Sequence, residues 1–349
     1  MQTYIGSDGS IIKHLKTEAE APTIKPKRIT YSQNWKAYDA AQTNEKKLFL
    51  KLLSELCQEI EEPMYKFGRP ISPLKDIVFA ATLKVYSTFS LRRFMTDLQD
   101  AASKGYVGRA WSFSAISKYM RKESLTPIID QLIALSAMPL SSVEVDFAAD
   151  SSGFRVTKFN DYCKDRYMPS RKHSWVKLHI YTGVKTNIIT GAAIGEEHHS
   201  ADSPQFIPLL NKTASAGFTI SEVSADKAYN SIDNYNAVAA LGGVAYIPYR
   251  SNITALSNTG NRAREWRRMY NFFIYRRDEF LKHYHLRSNA ESTFSMLKAK
   301  FSDLIKSKDK TAQKNEALLK VLCHNIVVLI HEMNELGIEP NFFSSSHAV

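Results

Sequence analysis

Four side chains able to do chemistry recur at helical spacing late in the chain: Tyr284, Arg287, Glu291 and Lys298. At 100° per residue, their offsets of 0, 3, 7 and 14 lie within about 60° of one another. One helical face would therefore carry an aromatic ring, a guanidinium, a carboxylate and an ammonium. Phe294, Leu297 and Phe301 form an adjacent apolar stripe to dock it. Arg287 and Glu291 alone would be an ordinary i,i+4 pair on a solvated face, worth roughly a few tenths of a kcal/mol. Four matched positions in one register are far rarer by chance. Ser288 and Glu291 also read as a capping box that would start a helix at Ser288. Residues 272–287 hold no Gly or Pro and many helix formers, which favours a longer helix running back through Tyr284.

The spacing Y-x2-R-x3-E-x6-K resembles the signature of a large group of DDE transposases from bacterial and archaeal insertion sequences. Two further stretches resemble the same family. Phe147 to Phe154 places Asp150 at a strand end before Ser151, Ser152 and Gly153, like its first acidic motif. Asp226, Lys227 and Tyr229 match its second, Asp-Lys-x-Tyr. The three acids run Asp, Asp, Glu, 76 and 65 residues apart. The resemblance covers roughly residues 140–335, and 68–139 more loosely.

The resemblance implies an α/β protein with a ribonuclease-H-like catalytic core. It also implies an enzyme that cuts DNA at the inverted-repeat ends of its own element and joins the 3′-hydroxyls to target DNA. It further implies that no covalent protein–DNA intermediate forms. Asp150, Asp226 and Glu291 would be the catalytic residues and the ligands of two Mg2+ ions, with Mn2+ able to substitute. Arg287 and Lys298 would hold phosphates near the scissile bond, and Tyr284 would contact the terminal phosphate or stack nearby. Such families often use a flipped base and a hairpin intermediate, for which Trp266 is the expected wedge. Joining two ends implies at least a homodimer on double-stranded DNA, in a cytoplasmic, nucleoid-associated enzyme.

Physical chemistry supports the donor set. Mg2+ prefers oxygen ligands, few of them from protein, with phosphate and water completing an octahedron. Two such ions about 3.5–4 Å apart can activate a water or a 3′-hydroxyl and stabilise the leaving oxygen. Asp150 and Asp226, at neighbouring strand ends, can share one ion. Glu291, on a helix crossing that sheet edge, can hold the second. Each acid alone could equally be a cap, a turn residue or a salt-bridge partner. Asp146 shares a strand face with Asp150 and is the alternative first ligand. His173, His179, His198 and His199 are the histidines to weigh as ligands; His179, mid-strand, reads as a core residue.

The elements that must position these groups follow from hydrophobic period. Residues 1–40 read as a flexible basic arm with Lys25, Lys27 and Arg28. Residues 41–139 read as a helical, helix-turn-helix-like DNA-binding domain. Its helices are 42–61, a second capped by Ser72 and Pro73, a third from Ser90 and a fourth from Ser112. Arg92, Arg93, Lys118, Arg121 and Lys122 are its phosphate-contact candidates. Residues 140–310 form the catalytic domain, with strands at 142–150, 175–182, 188–195, 220–225 and 244–247. A helix capped by Asp202 and another over 231–241 separate the later strands. The insertion 250–283 interleaves aromatics with arginines: Arg262 to Arg287 holds eight Lys/Arg against three Asp/Glu. Aromatics beside arginines suit unstacked bases; Arg264, Trp266, Arg267 and Arg268 are the DNA contacts expected there. Residues 311–349 are a C-terminal amphipathic helix and tail, within which His324 and Asn325 read as structural.

Bulk composition agrees. The 349 residues suffice for two or three domains and a large core, and 44% apolar content is ordinary for a globular protein. The net charge of +11 and pI near 9.3 favour a polyanionic partner. Three scattered cysteines, Cys57, Cys163 and Cys323, argue against a disulfide framework or a structural zinc site. No long apolar run suggests a membrane span. Two other classes compete: an inactive DNA-binding protein derived from a transposase, and a ribonuclease-H-like nuclease. The intact acids argue against the first. The N-terminal helices and the basic aromatic insertion argue against the second.

Overall fold

The computed structural model describes residues 4–5, 11–12, 34–64, 67, 72–156, 175–195, 202–254 and 260–342. The chain divides into two compact units, Met1–Asn34 and Trp35–Val349. In the first, β1 (Tyr4–Ile5) and β2 (Ile11–Ile12) pair antiparallel. Lys25, Lys27, Arg28, His173, His198 and His199 lie outside the described residues.

The second unit holds a five-stranded sheet. Its strands are β3 (Asp146–Arg155), β4 (Trp175–Gly183), β5 (Ile189–Ile194), β6 (Glu222–Ala225) and β7 (Val244–Tyr246), in the spatial order β5-β4-β3-β6-β7. The first three form an antiparallel meander. β6 and β7 add parallel to β3, which requires crossovers, here α6 (Ser203–Ser215) and α7 (Ile232–Ala240). Phe147, Ala148 and Ala149 are buried in succession because helices cover both faces of the central strand.

The sequence reading ended β3 at Asp150, and the structure corrects it. β4 pairs with β3 from Phe147↔Gly183 to Arg155↔Trp175, so the strand continues five residues past Asp150. What ends near Asp150 is the parallel neighbour: β6 stops at Ala225, opposite Ala149. The turn after β4 is held by buried Glu144. Its carboxylate accepts from the Lys185 and Thr186 N–H groups and from the Thr186 hydroxyl. Gly183 is required there, because an added Cβ would fall 2.4 Å from the Glu144 carboxyl carbon.

Among the described residues, five helices precede the sheet: α1 (Trp35–Gln58), α2 (Leu74–Tyr86), α3 (Met95–Ser103), α4 (Phe113–Met120) and α5 (Leu125–Ala137). Ser72 does not cap α2. Glu62 does so from a distance, accepting the Leu74 and Lys75 N–H groups at 2.7 and 3.0 Å. Ser112 caps α4 as expected, through the Ala115 N–H. Residues Leu91 to Phe94 are a turn leading into α3, and α5 is an element the sequence reading passed over.

The last helix, α11 (Lys310–Glu335), is buried almost continuously from Ala312 to Ile330. It packs on α1, α2 and α5 and also on β5, so helices and sheet share one core. Asn325 joins them. Its side-chain amide accepts from the Ile189 N–H at 3.0 Å and donates to the Ile189 carbonyl at 2.7 Å, occupying the free edge of β5 as another strand would. It also donates to the Ser136 hydroxyl and the Ile133 carbonyl of α5. His324 bonds the Asn187 carbonyl. Both residues are structural, as expected. Among the described residues, no helix is long and apolar enough to cross a membrane.

Near the end of α11, burial and then the charges of Glu335 and Glu144 push Glu332 up to about 7 from 4.5. Its folded value lies above its unfolded one, so the associated stability is full below 4.5 and is lost as pH rises through 7. Glu332→Gln should therefore raise Tm at pH values above about 7 and leave it unchanged near pH 4.5. A Tm gain that is the same at both ends of the pH range would remove this cause.

Candidate active site

After β7 the chain forms α8 (Arg264–Tyr275), α9 (Arg277–Tyr284), a 3-10 turn at His285–Arg287 and α10 (Ser288–Phe301). The backbone stays right-handed from Tyr284 (φ −60°, ψ −35°) to Ser288 (φ −58°, ψ −20°). The expected run through Tyr284 is thus continuous in hand but tightened by one turn. No capping box forms, because the Ser288 hydroxyl donates to the His285 carbonyl instead. Phe294, Leu297 and Phe301 are buried as the stripe required, and α10 lies on β3 and β4. Thr293 secures it through the Thr182 hydroxyl and the Asn187 side chain.

This docking brings Arg287 to Asp150. One guanidinium nitrogen lies 3.5 Å from Asp150 Oδ2, and another donates to Glu291 Oε1 at 2.6 Å. Asp226 follows the last residue of β6, one position beyond the Ala149↔Ala225 pair, and so stands level with Asp150. Its carboxylate accepts the Lys227 N–H at 2.7 Å. Asp146, the alternative ligand, pairs with Glu222 at the opposite end of β6 and is not level with Asp226.

Burial raises the Asp150 pKa, and the negative charges of Glu291 and Asp226 push the same way. The Ser151 N–H and Arg287 oppose them without prevailing. Burial also works against charge on Arg287, but Asp150, Tyr284 and Glu291 outweigh it and hold the guanidinium protonated. Tyr284 reaches Arg287 through a side-chain hydrogen bond. Lys298 donates to the Ser152 hydroxyl at 2.6 Å and sits 5.3 Å over the Phe154 ring. Burial lowers its pKa.

Behind β3 lies a cluster that sequence reading missed. Asp202 does not cap α6. It accepts from the Ser151 hydroxyl at 3.0 Å and pairs with Lys177 at 2.6 Å. Tyr229, of the Asp-Lys-x-Tyr stretch, is buried and hydrogen-bonded with Ser151. Burial raises its pKa, and Asp202 and Asp150 add to that. The signal available was the tyrosine's fixed offset from Asp226; nothing local marked Asp202. His179 is fully buried opposite Ser151, 3.6 Å from Asp202, and burial lowers it to about 4.

Among the described residues, no group of three or more His, Cys, Asp or Glu is close enough to hold a metal ion. The three carboxylates therefore do not form a closed cage; Arg287 lies between two of them. The donor set still fits a hard divalent cation, because Mg2+ takes only one or two carboxylates and leaves the rest to phosphate and water. A carboxylate pushed up by burial and like charge gains most from such an ion.

Trp266 does not stand where a wedge would. It is 1% exposed, its indole donates to Asn230 at 2.9 Å, and it stacks on Tyr270. The correction has a simple cause: the apolar face of α8 comprises Trp266, Met269 and Phe273, and the arginines lie on the other face. Arg264 and Arg268 are exposed, Arg267 is half-buried with a bond to the Gly260 carbonyl, and Arg268 pairs with Glu265. Arg92, Arg93, Lys118, Arg121 and Lys122 are all exposed.

No curated protein matches the sequence closely enough to count as a relative. Among solved structures, the chain is similar to one described as the cryo-EM structure of piggyBac transposase synaptic complex with hairpin DNA. The two are 12% identical with a TM-score of 0.37, over 88% of this chain and 77% of that one. The family model described as "Transposase DDE domain" matches residues 141–326, a span that takes in Asp150, Asp226 and Glu291. That span is more than half of the 349 residues, and the chain belongs to the transposase DDE domain family.

Proposed function

We propose that the protein is an active transposase that cuts DNA at the ends of its own element and joins the 3′-hydroxyls to target DNA by metal-dependent phosphoryl transfer. The observation that carries this is the convergence of three acids from separate elements: Asp150 and Asp226 level on adjacent parallel strands, and Glu291 joined to Asp150 through Arg287. The strand order, a meander extended by two parallel strands, supports a ribonuclease-H-like core.

Asp150 and Asp226 would hold one Mg2+ or Mn2+ ion, and Glu291 a second. When bound, these ions supply Lewis-acid activation of the nucleophile and stabilise the leaving oxygen. Arg287 holds Asp150 and Glu291 in place and offers its remaining donors to a phosphate. Tyr284 orients that guanidinium. Lys298, bonded to Ser152 two residues beyond Asp150, places a positive charge beside the strand where the scissile phosphate would lie. The helices of residues 41–139 and the arginines of α8 supply the surface for double-stranded DNA, and two protomers act on the two ends.

The test uses labelled DNA carrying the flanks of the gene, with Mg2+ or Mn2+, and Asp226→Ala alongside. Metal-dependent nicks at fixed positions, absent in the variant, are the expected result. Specific binding without cleavage would replace this reading with a binding protein, and cleavage without regard to sequence would replace it with a nuclease.

A further inference from the structure

Cationic side chains from two distant parts of the chain converge on one groove, between α4, the turn around Ser90 to Arg92 and the loop 302–309. One wall is a face of α4 and its C-cap, where Ser114, Ser117, Lys118 and Arg121 recur at i, i+3, i+4 and i+7. Two hydroxyls and two cations therefore project together. Lys306 and Lys308 stand on the loop wall, and Arg92 lies between, 5.0 Å over the Phe113 ring. Lys84 also lines the groove but is already paired with Glu316. Among the described lining residues the one carboxylate, Asp309, caps α11 through the Ala312 N–H. Among the described residues, Arg92, Lys118, Arg121 and Lys308 form no ion pair, so the groove gathers a clear excess of positive over negative charge. Such clustering costs self-repulsion that a polyanion relieves.

The loop wall is stiff. Arg155 grips Asp303 through two nitrogens at 2.7 and 2.9 Å, and their backbones bond as well. Buried Lys320 donates to the Ser302 and Leu304 carbonyls, while Glu316 accepts the Lys306 and Ser307 N–H groups. The loop therefore hangs from the far end of β3, the strand that carries Asp150, and follows directly on the helix that carries Glu291.

We propose that this groove binds the sugar–phosphate backbone of duplex DNA and fixes the duplex in position relative to Asp150. The proposal rests on DNA being the substrate, and adds a contact zone built jointly by the N-terminal helices and the segment after α10. Its donors are hydroxyls, ammonium groups and guanidinium groups, which position a backbone without reading bases.

The test measures duplex affinity across a salt series for the full-length protein, Lys118→Gln, Lys308→Gln and the double variant. Neither lysine bonds another described side chain in a way that folding needs; Lys47→Gln, on an exposed site of α1 outside the groove, is the control. Each groove variant should flatten the slope of log affinity against log salt by about 0.9, and the double variant by about twice that. Both should lose hydroxyl-radical protection over the same stretch of duplex. Unchanged slopes in both variants, with firm wild-type binding, would overturn the groove and leave the transposase reading standing. Equal flattening by Lys47→Gln would also overturn it, since any surface charge would then serve. Failure of the wild-type protein to bind duplex at all would overturn both.

Discussion

Asp150→Asn is expected to abolish metal-dependent DNA cleavage, by more than about a thousandfold, while the protein stays folded and binds DNA. The amide keeps the size of the carboxylate and can still take the Ser151 N–H. It loses the negative charge that pairs with Arg287 and that a divalent cation requires. Stability should move the other way. The folded carboxyl is raised by burial and by Glu291 and Asp226, so its contribution is full below the unfolded value and is lost as pH rises through the folded one. At neutral pH the native protein therefore carries a charge it would be better without, and Asp150→Asn should keep or raise Tm. Activity assays and thermal melts on the same preparation check both halves. Loss of cleavage together with a lowered Tm would make Asp150 a structural residue, and retained cleavage would remove it from the chemistry.

The largest effect on stability is expected at Asn325. Asn325→Leu keeps the heavy-atom count and branching but strands the Ile189 N–H and carbonyl, while the Ser136 hydroxyl retains its bond to the Ile133 carbonyl. Each buried group left unpaired costs about 1–3 kcal/mol, so for the two Ile189 groups a loss of at least about 2 kcal/mol is expected. Tm should fall on the order of 5 °C. Leu322→Ala on the same helix serves for comparison, since it removes packing without touching a polar group. Equal stability of Asn325→Leu and wild type would mean that the edge of β5 finds other partners.

The sequence was most legible where a period and a fixed offset coincided. The α10 stripe follows from local pattern, and the family resemblance placed Asp150 and Asp226 at neighbouring strand ends, but the alternation expected around Phe147 gives way to continuous burial of Phe147, Ala148 and Ala149. It was less legible where a partner comes from far along the chain. Asp202 has a good cap signature before a Ser-Pro pair, yet Lys177 and Ser151 claim its carboxylate. Glu62 caps a helix that begins twelve residues later. β3 outlasts its local stop signal because β4 supplies pairs along its whole length. Trp266 stands among arginines in sequence, but a helix separates neighbours by about 100° and turns the indole inward. Arg287 bridging two of the acids is likewise a tertiary fact, since only the packing of α10 against β3 brings it there.

The place of α11 in the core bears on the order of events during synthesis. Helices α1, α2 and α5 leave the ribosome well before the sheet, but the surface they share with β5 is filled by a helix that begins only at Lys310. Until that segment emerges, the faces of α1, α2 and α5 that pack on it stay uncovered, and the edge of β5 lacks Asn325. The nascent chain must therefore carry exposed apolar surface through most of translation, the condition under which chaperone contact and misassociation compete with folding.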